Sequence, residues 1–367
     1  MRPDANPAWR VSVLRVCFPF VGDSIGGSQK STLLLLAGLD RTSFCPLVVL
    51  HKEDGPLATL LRGKSIPYEL LQLPVMAGAS PSLPRIFLAQ LRNYGILRAF
   101  IRDRQIDIVH TNDLRCNLTW GLVSRIQARH VWHQRTILSK SPLWQMIGML
   151  TNHVICISGT VRDTYRSFAP ATIQANPFEA ERHDRVAAKR ALAAELDVDA
   201  SRPIVGYVGR MVSGKGLSDL SALPALLPEA VVVVAGNGPL AETLPATIHK
   251  LGFRDPIEPV IAGLDVLIAP SREEGFGRTV VEAMLAGTPV VASDIPAHRE
   301  ASGNGQHAVL VRLGNAQAIA DAVRDLLTGG ATTSVFVKAA NEFARDRYSK
   351  KAHIQAIESI YRGLVSD

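Results

Sequence analysis

The densest group of residues able to do chemistry is the segment 273–294, EEGFGRTVVEAMLAGTPVVASD. Gly275, Phe276 and Gly277 follow a β-branched run at 265–269, and a helical pattern begins near Arg278. Glycines at a strand-to-helix turn let the backbone approach a ligand, and the free amides of a helix start suit a phosphate. Glu282 falls about 6 Å along that helix, where its carboxylate can accept from a ribose beside the phosphate. Glu274, before the turn, can take a pair of hydroxyls on the other side. The plain alternative is a solvated Glu274 and a helix-face Glu282. Glu282, however, is flanked by Val280, Val281, Ala283, Met284 and Leu285, which disfavours a purely solvated face.

A second signal is GYVGRMVSGKG (206–216), also at a strand end. Gly209 opens the loop, and Arg210 and Lys215 project from it, a pair suited to neutralising a diphosphate. A third, AGNGPLA (235–241), matches G-x-G-x-x-A through Gly236, Gly238 and Ala241. It lacks an acidic strand end about 20 residues later, so a nicotinamide or flavin site is disfavoured.

In the first half, GDSIGGSQKS (22–31) resembles a phosphate loop but breaks its spacing, which argues against a nucleoside triphosphatase. Gly26 and Gly27 still precede a helix and offer backbone amides to an anion. His110 and Asn112 end one strand pattern and His133 the next. A lone strand histidine is usually a satisfied core residue, but two at adjacent strand ends make His133 a site candidate. Asp197-Val198-Asp199 has the form of a metal-binding pair but sits in a polar linker, so no catalytic metal is expected.

These segments need elements to position them. Short apolar runs at 11–18, 46–51, 67–73, 106–111, 130–135 and 153–158, then at 204–209, 231–235, 265–269, 289–293 and 308–312, read as strands. Helical patterns at 28–39, 85–104, 278–287, 315–328 and 334–346 lie between them. Near-continuous apolar strands alternating with helices indicate parallel sheets covered on both faces. The expected fold is therefore α/β, with two doubly wound Rossmann-like domains facing a central cleft. Ligands of such sheets bind at the carboxyl ends of the strands. The boundary is expected near 170–203, with domains at 1–174 and 175–348 and a C-terminal helix, 349–367, packing back toward the first domain.

The chain's 367 residues are enough for two domains, and 47% hydrophobic with 20% charged residues excludes disorder. The net charge of +7 is uneven: residues 1–177 carry 20 basic and 10 acidic side chains, and 178–367 carry 20 and 23. The four cysteines, Cys17, Cys45, Cys116 and Cys156, are far apart and read as small buried hydrophobes in a reducing compartment. No run of about 18 apolar residues could span a membrane, and the start MRPDANPAWR lacks signal-peptide order. A cytoplasmic protein is the simplest reading.

Taken together, the motifs resemble a family 4 glycosyltransferase of the GT-B fold over nearly the whole chain. The specific part is E-x7-E, Glu274 to Glu282, supported in order by Gly26–Gly27, His133, Gly209-Arg210 with Lys215-Gly216, and Gly236 to Pro239. The resemblance implies that Glu274 holds the donor sugar's hydroxyls, that Glu282 holds the ribose, and that Arg210 and Lys215 grip the diphosphate. Gly26 and Gly27 would approach that diphosphate, and His133 would lie near the transferred sugar. It further implies retaining, metal-independent transfer from a nucleotide sugar, a UDP- or GDP-sugar, with no other cofactor.

Two departures affect the carry-over: the segment between Gly238 and Phe253 is shorter than the family commonly has, and Asn112 stands where relatives often have a histidine. A sugar-nucleotide epimerase would need further acid/base residues, and a non-catalytic homologue is disfavoured by Glu274, Arg210 and Lys215. The expected acceptor is a glycan or lipid-linked glycan in cell-surface polysaccharide or glycolipid synthesis, with no nucleic-acid partner. The basic first half suits an anionic membrane surface and peripheral attachment. Arg85, Arg92, Arg98, Arg102 and Arg104 in 85–104 do not share one helical face, so that helix reads first as core-packed, with snorkelling arginines.

Overall fold

The structure, a computed structural model, describes residues 13–74, 83–138, 148–165 and 169–366. It divides into two compact units, one formed by residues up to 157 with 161–174 and 350 onward, the other by 158–160 and 175–349.

The first unit is built on a sheet of β1 (Leu14–Phe20), β2 (Phe44–Leu50), β3 (Tyr68–Leu70), β4 (Ile108–Thr111), β5 (Arg129–Gln134), β6 (His153–Cys156) and β7 (Ala171–Ile173). The order is β3-β2-β1-β4-β5-β6-β7, and every pairing is parallel. Successive side chains of a strand point to opposite faces. Thus Val16, Phe18 and Phe20 of β1 join one core with Leu35, Leu50 and Ile108, while Cys17 joins the other with Leu97, Val109 and Trp120. The last helix, Lys350–Ser366, packs in this unit: Ile357 and Tyr361 are fully buried in the first core. Glu358 accepts from the Asp40 amide at 2.8 Å, tying that helix to the turn before β2.

The second unit carries β8 (Ile204–Val208), β9 (Val231–Ala235), β10 (His249–Gly252), β11 (Val266–Ala269), β12 (Val290–Ser293) and β13 (Val309–Val311). Their order is β10-β9-β8-β11-β12-β13, again all parallel. Val205, Tyr207, Val232, Val234, Val266 and Ile268 pack against Leu220, Leu223, Ile319 and Val323 of the covering helices. The winding reverses between β8 and β11, where Gly206 lies opposite Leu267. The loops leaving these two strands therefore start side by side, at the point where doubly wound sheets bind ligands.

The doubly wound reading holds for both units, with differences at the edges. The strand expected over 67–73 shrinks to β3, and β7 and β10 are additional strands. All three are edge strands, which have one partner and need no continuous apolar run. Val11 and Ser12 of the first expected strand lie outside the described residues. Cys45 is exposed, contrary to expectation, whereas Cys17, Cys116 and Cys156 are buried; all four are free thiols.

The helix expected over 85–104 spans Leu83–Asp103. Its packed side is partly polar: Asn93 and Gln90 are buried with Leu97 and Ile101, and Gln90 donates to the Leu118 carbonyl at 2.9 Å. Phe87, Leu88 and Leu91 are instead 60%, 68% and 51% exposed. At about 100° per residue they share one arc with Arg98 and Arg102, which are also exposed. The Arg85 side chain lies outside the described residues. No helix among the described residues is long and apolar enough to cross a membrane.

Candidate functional site

Lys215 and Glu274, assigned separate tasks by their spacing, meet in the second unit. Lys215 Nζ lies 2.5 Å from Glu274 Oε1, and Ser271 Oγ donates to the same oxygen at 2.8 Å. Both charged side chains are about four-fifths buried, at 19% and 22% exposure. Lys215 stands on the loop after β8 and Glu274 on the loop after β11, so the pair joins the two sides of the switch point. Arg210 heads the β8 loop as an exposed cation. Its carbonyl accepts from Tyr207 Oη at 2.9 Å, which fixes the turn from inside. Burial pushes the Tyr207 phenol well above its ordinary range, so it stays a neutral donor.

The β8 loop rests on the loop after β9. Met211 N–H donates to the Asn237 carbonyl and Leu240 N–H to the Met211 carbonyl, at 2.9 and 3.0 Å. A Cβ on Gly236 would lie 2.0 Å from the Gly209 oxygen, and one on Gly238 would lie 2.3 Å from the Met211 oxygen. Gly236 also adopts φ +134°, which side chains disfavour. The G-x-G spacing is thus explained by close backbone approach that holds Arg210 in place.

Gly277 caps the helix Arg278–Ala286 with φ +87°. A Cβ there would come within 3.0 Å of His298 Cδ2. His298 is buried, and its Nδ1–H donates to the Ser293 carbonyl at 2.9 Å. Burial pulls its pKa down, with that carbonyl and Glu274 acting the other way. The neutral ring therefore backs the helix start. Ser158 Oγ donates to the Gly275 carbonyl at 2.5 Å, and the Gly159 amide donates to both Glu300 oxygens at 3.0 and 2.8 Å. Phe276 is buried in an aromatic row with Phe178 and Tyr348, centroids 6.1 and 5.6 Å away.

Glu282 is 14% exposed and takes a bond from Arg278 at 3.0 Å, whose guanidinium lies 4.5 Å from the Phe178 ring centre. It is neither solvated nor apolar-packed but held in an i,i+4 pair. Ser158 and His298 escaped sequence reasoning because tertiary packing alone brings them in, while Tyr207 lies only three residues before the Arg210 carbonyl it holds. Ser271, by contrast, lies three residues before Glu274 and was within reach of a careful reading.

The other candidates belong to the first unit. Gly26 precedes the helix Gly27–Gly38, and its amide donates to Gln29 Oε1 at 3.0 Å. The expectation that this amide is open to an anion is thereby corrected: a side chain one turn on already uses it. His133, on β5, is fully buried. Asn112 is buried as well and accepts from Arg135 at 2.9 Å.

Asp197 ends the helix Arg185–Leu196 in the left-handed region, and Asp199 accepts from Ser201, so both serve local turns. Among the described residues no group of three His, Cys, Asp or Glu side chains could hold a metal ion. What the second unit does hold together is two cations, a helix N-terminus and a carboxylate, an arrangement suited to a phosphorylated, hydroxyl-rich ligand.

Residues 202–329 match the family model described as glycosyl transferases group 1. The match lies within the second unit. The matched residues include Arg210, Lys215, Glu274 and Glu282. Among curated proteins, the chain is 31% identical over 180 residues to a 2-deoxystreptamine N-acetyl-D-glucosaminyltransferase of Streptomyces fradiae, covering 44% of this chain and 43% of that one. It is 26% identical over 172 residues to the lipopolysaccharide core biosynthesis glycosyltransferase LpsE of Rhizobium meliloti, covering 43% and 49%. The chain thus spans less than half the length of these relatives. Among solved structures, Anabaena HepE in complex with UDP-glucose superposes with TM-score 0.79 at 22% identity, covering 95% of this chain and all of that one. The fold is GT-B.

Proposed function

We propose that this protein transfers a sugar from a nucleoside-diphosphate donor to a glycan or lipid-linked acceptor in cell-surface polysaccharide or glycolipid synthesis. The observation that carries the reading is the Lys215–Glu274 pair across the β8/β11 switch point, with Arg210 on the same loop. Breaking a glycosyl–phosphate bond leaves charge on the diphosphate, and preorganised cations and helix amides stabilise such charge. Arg210, Lys215 and the amides at Arg278 are the groups offered for that task. Gly209, Gly236 and Gly238 serve the donor indirectly, by setting the loop that carries Arg210.

Glu274 takes hydroxyls of the sugar, while Glu282 exchanges part of its bond with Arg278 for the ribose. Gly275, Phe276 and Gly277 form the turn against the phosphate. A uridine donor is favoured by the UDP-glucose bound in HepE, and a cell-surface glycan by the role printed for LpsE. On this reading transfer proceeds with retention of anomeric configuration and without a metal, as the family resemblance implies.

Attachment to an anionic membrane is proposed through the exposed Phe87, Leu88 and Leu91 together with Arg98 and Arg102. The test of the reaction is incubation with UDP-glucose and a glycolipid extract in EDTA, with the product's anomeric configuration read by NMR. Retained configuration supports the proposal; inversion, or turnover that needs an added divalent ion, overturns it.

A further inference from the structure

A cavity of about 710 Å³ opens in the second unit beside Asp265 and Pro289, which immediately precede β11 and β12. Every residue lining it belongs to that unit. It therefore sits at the amino ends of the strands, whereas Lys215 and Glu274 follow their carboxyl ends. The four residues of β11 put roughly 13 Å between the two ends of the sheet.

The charges around this cavity are unevenly matched. Its two carboxylates each have a cation: Asp265 lies 2.9 Å from Lys189 Nζ, and Glu342 lies 3.9 Å from Lys338 on the exposed rim. Arg182, Arg185 and Arg345 line the same space with no carboxylate in ion-pair reach among the described residues. Arg185 donates through Nε and Nη2 to the carbonyls of Ala262 and Leu264, at 3.2 and 2.6 Å. Arg345 donates through Nε to Asn341 at 2.8 Å, and Asn341 is itself held by the Met284 and Leu285 carbonyls. These neutral partners fix both guanidinium groups without cancelling their charge. Burial pulls the pKa of Arg185 down, with Asp265 acting the other way. Asp184, next to Arg185 in the chain, accepts from the Val186 and Ala187 amides at 3.0 and 3.1 Å. Arg182 is exposed and makes no hydrogen bond among the described residues.

We propose that this cavity binds a phosphate group, carried by a sugar monophosphate or free in solution, with Arg182, Arg185 and Arg345 around it. A phosphate dianion answers several guanidinium charges at once, and guanidinium groups match its oxygens in pairs. Arg185 and Arg345 are already fixed, so little side-chain freedom is lost on binding. The volume is typical of small-molecule sites and leaves room for a body beyond the phosphate. Thr333 and Ser334 donate to the Leu326 and Gly330 carbonyls and can still accept from hydroxyls, while Val337 offers an apolar surface to a ring face. The site shares no residue with the Lys215–Glu274 pair and does not depend on the function proposed for it.

Isothermal titration calorimetry on the full chain at constant ionic strength tests this with inorganic phosphate, glucose 1-phosphate and glucose. Both phosphates should bind and glucose should not. Arg182→Gln removes a side chain that makes no internal bond, and should weaken binding by about tenfold, the value of one hydrogen bond between charged groups. Arg345→Gln, checked by its melting temperature, should weaken it at least as much. Lys215→Ala should leave it unchanged. Tighter binding of glucose 1-phosphate than of phosphate identifies the ester, and equal binding identifies free phosphate; both support the site. No binding of either phosphate at millimolar concentration, wild-type affinity in Arg182→Gln, or loss of binding in Lys215→Ala overturns it.

Discussion

Lys215 Nζ and Glu274 Oε1, 59 positions apart in the chain, lie 2.5 Å from each other across the switch point of the second sheet. Each neutralises the other, and each is steered by its own loop: Lys215 by the turn that Tyr207 and Asn237 hold, Glu274 by Ser271. A donor diphosphate and a sugar hydroxyl would compete for this pair, so binding exchanges one ion pair for two ligand contacts.

Replacing either member should therefore affect chemistry more than folding. Lys215→Ala and Glu274→Ala are expected to lower sugar transfer by roughly 100-fold or more, on the order of 3 kcal/mol in the transition state. Steady-state transfer by the purified, folded variants checks this. Wild-type rates in either variant would remove that residue from the site.

The loop contact behind Arg210 predicts a structural effect. A methyl group at Gly236 or Gly238 meets backbone oxygen at 2.0 or 2.3 Å, and backbone cannot rotate away as a side chain can. Gly236→Ala and Gly238→Ala should each destabilise the protein by about 2 kcal/mol or more in urea unfolding. A loss under about 0.5 kcal/mol, the usual range of surface substitutions, would contradict the close approach.

The buried histidines predict the direction of acid sensitivity. Burial lowers His130 to about 4, and lowers His110 and His133 well below their ordinary 6.5. The unfolded chain therefore takes up protons near pH 6.5 that the native state refuses. Their contribution is fully present above pH 6.5 and is lost as pH falls from there toward 4, by up to about 1.4 kcal/mol per pH unit per histidine. Melting temperatures at pH 7.5, 6.5, 5.5 and 4.5 should fall below 6.5, and less steeply for His130→Gln. A flat profile from 7.5 to 4.5 would show that these rings are not held neutral.

The exposed arc of the helix Leu83–Asp103 predicts salt-sensitive membrane binding. Sedimentation with phosphatidylglycerol-containing vesicles at low salt should carry the protein down; neutral phosphatidylcholine vesicles should not. Arg98→Glu with Arg102→Glu should weaken binding by roughly 30-fold or more, given about 1 kcal/mol per basic residue near the surface. Equal binding to both vesicle types would rule out the electrostatic part.

The fold was legible because central strands such as IVGYV and VVVVA are buried on both faces and advertise it. The edge strands HKLG and ATI carry no such mark. Of the site, the parts within one strand-loop-helix unit could be read, Glu274 and Glu282 above all. His298 and Ser158 could not, because each acts from an element remote in sequence and no local spacing announces it. The arginines of 85–104 misled for a related reason: as a group they circle the helix, and only burial shows that the arc Arg98 and Arg102 share with Phe87, Leu88 and Leu91 is the exposed one.

Nucleotide binding tests the central claim most directly. Thermal shift with UDP, GDP and ADP, followed by calorimetry on wild type and Lys215→Ala, needs no knowledge of the acceptor. One nucleoside diphosphate should raise the melting temperature, by an amount equivalent to about 2.7 kcal/mol at 100 times its Kd, and Lys215→Ala should bind it at least tenfold more weakly. If no nucleoside diphosphate shifts the wild-type melting temperature at millimolar concentration, or if Lys215→Ala binds one as tightly as wild type, the second unit does not hold a nucleotide donor through this pair.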